Sequence, residues 1–144
     1  MTILDQHSIP FSRKSLLSTL WIFVLMNMIY ADILGTLKPG YLDQLERLST
    51  ELTPTSVLTF SILMEIPIAM ILLSRILNYR ANRWANFIAV PLAILWVVVP
   101  TVMPSLGGGT PISYLFFATV EVITMIVIFR LAWTWPQPKI KQVA

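Results

Sequence analysis

The chain contains no cysteine, so disulfides, thiolate metal sites and cysteine nucleophiles are all excluded. Histidine occurs once, at His7, ahead of the first apolar run. That leaves no paired-histidine haem site and no HExxH metal motif. There is no glycine-rich phosphate-binding motif either. A nucleophile–base pair would have to join a serine to a glutamate inside lipid, so catalysis has no support in the residues and no catalytic or metal-binding set is assigned. Charge is scarce as well. Only 12% of the 144 residues are charged, about half the roughly 25% of a soluble domain. No interleaving of basic and aromatic residues suggests a nucleic-acid face.

What fills the chain instead is hydrocarbon. It is 56% hydrophobic, with a mean hydropathy of +0.76. Such a chain cannot cover itself with polar surface, and the bilayer is its natural solvent. Four runs are long enough to span about 30 Å of hydrocarbon, which takes roughly 20 helical residues. They lie at about 16–37, 54–77, 84–103 and 111–133. Each must be helical, because backbone N–H and C=O groups need internal partners in lipid. Arg13 and Lys14 precede the first run, as in a signal peptide. Its apolar region is too long for one and no small-x-small cleavage site follows, so it reads as a retained helix. The expected architecture is one all-α membrane domain, residues 1–144, built as a four-helix bundle.

Lysine and arginine set the expected orientation. Arg13, Lys14, Arg75, Arg80, Arg83, Arg130, Lys139 and Lys141 fall on one side, and only Lys38 and Arg47 on the other. The positive-inside rule then places both termini in the cytoplasm of a cell-membrane protein. Tyr79, Trp84, Trp133 and Trp135 would anchor the inner interface, and Tyr41 and Tyr114 the outer one. The third and fourth runs are joined by "PSLGGGT", a tight glycine turn. The first and second are joined by a longer segment in which Leu42, Leu45, Leu48 and Leu52 alternate with Asp43, Glu46, Arg47 and Glu51. Residues 41–52 therefore form an amphipathic helix, lying on the outer surface, capping the bundle, or acting as a lid.

The second and fourth runs open on nearly the same phrase, "TPTSVLTF" from Thr53 and "TPISYLFF" from Thr110. Thr-Pro is a good helix start: the hydroxyl caps early N–H groups and proline at the first position loses nothing. With one residue deleted, "EIPIAMILL" then faces "EVITMIVIF". The pattern suggests a helical hairpin used twice, as parallel repeats, or else convergence on one helix start.

Each of these runs holds one acid. Glu65 lies eleven residues past Pro54 and Glu121 ten past Pro111, on the order of 15 Å down a helix and near the midplane. A carboxylate there costs roughly 2.5–3.5 kcal/mol on insertion scales. If the two meet, they cannot both ionise easily, and a shared proton follows. The functional reading is a proton- or cation-binding pair; the plainer one is interhelical hydrogen-bonding glue. Ser61 and Thr124 are the polar neighbours, and Asn27 is the polar residue near the centre of the first run. Pro67, two residues past Glu65, frees the carbonyl of Leu63 and can kink its helix; Pro91 and Pro100 can do the same in the third run. Asp32 lies near the outer end of the first run, on a face with Trp21, Leu25 and Met28. It reads either as a cap for the following segment or as an acid at the outer mouth for a cation or amine. Met26, Met28, Met64, Met70 and Met125 pack the core or line an adaptable pocket.

"IYADILGTLKPG", a second run with "EIP" and a fourth with a central glutamate resemble a small bacterial four-span family of unknown function. That resemblance draws attention to Tyr30, Asp32, Glu65 and Glu121 and implies no activity. The size and span count are also similar, more loosely, to the DoxX-like small membrane proteins. The reading that results is a small multi-pass membrane protein that binds or moves a small apolar or cationic molecule. Its ligand or proton site would use Glu65, Glu121, Asp32, Asn27, Tyr30, Ser61 and Thr124. The rival is a non-catalytic accessory or scaffold subunit. The partners implied are the lipid bilayer, a small-molecule ligand, and a second copy or another membrane subunit. No cofactor is indicated.

Overall fold

The computed structural model describes residues 12–102 and 111–136. His7, the glycine turn expected at 104–110, Lys139 and Lys141 lie outside them. The described residues form five α-helices: α1 Arg13–Gly35, α2 Tyr41–Glu51, α3 Pro54–Ile76, α4 Tyr79–Val102 and α5 Ile112–Trp133. All but α2 are long and apolar enough to cross a membrane. A helix of 23 residues such as α1 reaches about 34 Å at 1.5 Å per residue, which covers the hydrocarbon core.

Local chemistry explains where the helices begin. Ser12 caps α1 by accepting from the Ser15 N–H at 3.2 Å. Thr53 caps α3 by accepting from the Ser56 N–H at 3.2 Å, with Pro54 at the first helical position. Asn78 caps α4: its side chain accepts from the Ala81 N–H at 2.9 Å. That cap starts the third span at Tyr79, five residues before the Trp84 expected from hydropathy, and draws Asn82 into the helix. Gly40, at φ 74°, takes the left-handed conformation that starts α2. The helices run through Pro67, Pro91 and Pro100.

The four long helices close a ring: α1 packs on α3, α3 on α4, α4 on α5, and α5 back on α1. Only Leu77 and Asn78 separate α3 from α4, and so short a connection sets those two helices antiparallel. The buried positions show the seam. In α1 they include Leu17, Trp21, Val24, Met28 and Ala31, and in α5 Ala118, Glu121, Met125, Ile128 and Ala132. Steps of three and four residues are the spacing of knobs-into-holes packing. Many seam residues are small (Ala31, Ser74, Ala89, Ala93, Ala118, Ala132). Close backbone approach is what draws helices together where lipid competes for every apolar side chain. α3 is the least enclosed: 11% of its most apolar stretch is buried, against 33% in α1.

α2 buries none of its residues in the protein. Leu42 and Leu45 are exposed, 72% and 48%, on its apolar face. That arrangement is not a cap packed on the bundle; exposed leucines on one face and charged residues on the other are the pattern of an interfacial helix.

Candidate functional site

At the end of the bundle that carries α2, the seam opens into a cavity of about 30 Å³. All four spanning helices line it. α1 gives Met28, Ala31 and Asp32; α3 gives Met64; α4 gives Trp96 and Val97; α5 gives Tyr114, Ala118 and Glu121. On α1, Asp32 sits one turn beyond Met28. On α5, Tyr114, Ala118 and Glu121 follow one another at steps of four and three, so the same face carries all three. Trp96 is braced from the side by Phe60, their ring centroids 5.5 Å apart. A void of this size has room for water, which needs only about 10–15 Å³ of such space.

The two acids enter this cavity differently. Glu121 is 3% exposed, in the α5 seam. Asp32 is exposed at the α2 end, where its helix leaves the bundle. The two carboxyl groups lie within electrostatic reach of each other, and Tyr114 within reach of both. No lysine or arginine stands at the level of Glu121: the arginines of the four spanning helices cluster at the opposite end, at residues 13, 75, 80, 83 and 130. Among the described residues no group of three or more His, Asp or Glu could hold a metal ion.

Glu65 does not join them. It is exposed, while its neighbour Met64 lines the cavity. The seam of α3 runs through Pro67, Met70 and Ser74. Glu65 lies two residues before Pro67, about 200° around the helix at 100° per residue. The matched phrases also begin their helices out of step. Pro54 is the first residue of α3, whereas Pro111 is the residue before α5, with no side-chain cap. Counted from the helix start, Glu65 is therefore eleven residues in and Glu121 nine. Similar depth is kept and facing is reversed, so the expected pair of glutamates is replaced by Asp32 and Glu121.

Four other expected residues stay outside the cavity. Asn27 donates to the carbonyl of Phe23 at 2.8 Å, and Ser61 to that of Val57 at 2.9 Å. Thr124 donates to the carbonyl of Val120 at 2.8 Å, one turn past Glu121. Each of these bonds stays within its own helix. Tyr30 is 53% exposed. Of the methionines, Met28 and Met64 line the cavity, Met70 and Met125 are in the core, and Met26 is exposed.

The opposite end holds a polar network that hydropathy did not foretell. Trp21 Nε1 donates to Asn86 Oδ1 at 2.9 Å. Asn86 Nδ2 donates to Asn82 Oδ1 at 2.8 Å and to the Asn82 carbonyl at 2.9 Å. Asn82 Nδ2 donates to the carbonyl of Ser74 at 2.6 Å. Ser18 Oγ donates to the carbonyl of Ile71 at 2.8 Å and accepts from Arg75 Nε at 3.0 Å. Asn82 and Asn86 are fully buried. The signal available in the sequence was their spacing of four, which puts two amides on one face of an apolar helix.

Together these features define a small multi-pass membrane protein, an all-α bundle of four membrane-span helices with one further amphipathic helix. The family of unknown function DUF6326 matches residues 1–142, and the chain belongs to it. No curated protein and no solved structure matches the chain. Nothing in these comparisons bears on the likeness to the DoxX-like proteins.

Proposed function

We propose that the α1–α5 cavity is a proton or small-cation site in a membrane carrier, with Glu121 as the binding carboxyl group and Asp32 at the mouth. The observation that supports this is the convergence of two acids from adjacent helices on one water-sized cavity, which reaches from the α2 end of the bundle to Glu121 in the middle of α5. An intramembrane acid is costly, and one that faces a hydrated cavity rather than a cation has a surface on which a proton or cation can exchange. The size of the void and its two carboxyl groups favour a proton or a small cation over an apolar molecule. The Tyr114 hydroxyl adds a donor and acceptor to the same wall. The arginine end faces the cytoplasm in this reading, so the cavity opens toward the outer surface through Asp32.

Glu65 favours a second component. An acid on the exposed face of the least enclosed helix, at mid-depth, is relieved by a protein neighbour. A second copy of the chain or another membrane subunit against α3 would supply one, and the accessory-subunit reading rests on this residue.

The test is flux in liposomes. Purified protein reconstituted with a trapped pH indicator should dissipate an imposed proton or sodium gradient faster than empty liposomes. Glu121→Gln should remove that activity. Equal rates for the parent protein and Glu121→Gln would overturn the carrier reading.

A further inference from the structure

The arginine end carries a groove in which the acid cavity plays no part. It has a volume of about 490 Å³ and is lined by Tyr79, Arg80, Arg83, Trp84, Phe87 and Trp133. We infer that this groove binds the headgroup of an anionic phospholipid, with the phosphate on Arg80 and Arg83 and an acyl chain along Trp84, Phe87 and Trp133.

Arg83 is prepared for such a ligand. Its guanidinium carbon lies 5.3 Å from the centroid of the Phe87 ring and 6.0 Å from that of Trp133. Nη1 makes a long contact of 3.5 Å to the Tyr79 hydroxyl. That hydroxyl is itself fixed, donating to the carbonyl of Trp135 at 2.8 Å. The aromatic rings therefore hold the guanidinium in place, and binding need not immobilise it again. Its Nε is buried without a hydrogen-bond partner among the described residues, a donor that a phosphate oxygen can satisfy.

Charge and position agree. Arg13 and Arg75 are engaged within the protein, Arg13 Nη1 with the carbonyl of Leu131 at 3.2 Å and Arg75 Nε with Ser18. The acids of the spanning helices, Asp32, Glu65 and Glu121, lie at mid-depth or at the opposite end, so no carboxylate of those helices competes for Arg80 and Arg83. Along α4 the groove runs from Arg80 through Arg83 and Trp84 to Phe87, from the helix end toward the membrane interior. That order, cation then aromatic, follows the polarity of a lipid from phosphate to chain. Trp84 and Trp133 are 67% and 62% exposed, so their rings face the bilayer. A freely soluble phosphate has no use for this aromatic wall; a lipid does.

Native mass spectrometry of the protein released from nanodiscs tests it. With phosphatidylglycerol the parent protein should retain bound lipid, and with phosphatidylcholine it should not. Arg80→Gln, an exposed position, should weaken retention of phosphatidylglycerol by about tenfold, and Arg83→Gln at least as much, on the strength of charge-assisted bonds to phosphate. Equal retention of the two lipids, unchanged retention in a well-folded Arg80→Gln, or displacement of the lipid by inorganic phosphate would each overturn the inference.

Discussion

The two ends of the bundle use their polar residues in opposite ways. At the arginine end, Ser18, Trp21, Asn82 and Asn86 bond to one another and to backbone carbonyls across α1, α3 and α4. At the α2 end, Asp32 and Glu121 face a cavity. Partnered amides fix the register of helices whose apolar surfaces would slide in lipid, whereas an unbridged acid on a cavity is, under the proposed function, the group that exchanges a proton. The first end accounts for one arrangement of the bundle, and the second for something that arrangement can do.

The largest expected effect breaks the arginine end. Asn86→Leu leaves the Trp21 N–H and the Asn82 Oδ1 without partners and should lower stability by about 1–3 kcal/mol. The lower part of that range is expected, because helices separated in the membrane find other partners. Reversible unfolding in mixed detergent micelles measures it, and flux in the refolded fraction should persist. At the α2 end, Glu121→Gln should cut proton or sodium flux by about tenfold or more while stability stays within about 1 kcal/mol. Asp32→Asn should reduce flux by only a few-fold, roughly, since an exposed acid at the mouth gathers ions without holding them; the reduction should fade as salt is raised. Smallest of all, Glu65→Gln should leave flux within about twofold of the parent, because its side chain lies about 200° away from the α3 seam. Its effect should appear instead in crosslinking between copies or with a partner subunit.

The span count, the amphipathic α2 and the place of both glutamates near the middle of their helices were legible in the sequence, because length and hydropathy decide them. Facing was not. α3 and α5 are apolar all round, and lipid and bundle interior present the same hydrocarbon, so hydropathy carries no phase. The step of the helix starts was hidden too: Thr53 caps α3 one residue before its proline, whereas α5 begins one residue after Pro111. A shift of one residue turns a side chain by 100°, enough to take an aligned glutamate out of the seam. Asn82 was missed because hydropathy starts the third span at Trp84 while the Asn78 cap starts it at Tyr79. Tyr114, expected as an interfacial anchor, lines the cavity, which its loop-proximal position in the sequence does not reveal.

The most direct test of the central claim is the infrared spectrum of the protein in lipid, recorded as pH is varied. A band from a protonated carboxyl group should titrate in the parent protein, persist in Glu65→Gln and disappear in Glu121→Gln. A titrating band that survives Glu121→Gln unchanged would contradict the assignment of Glu121 as the proton or cation site.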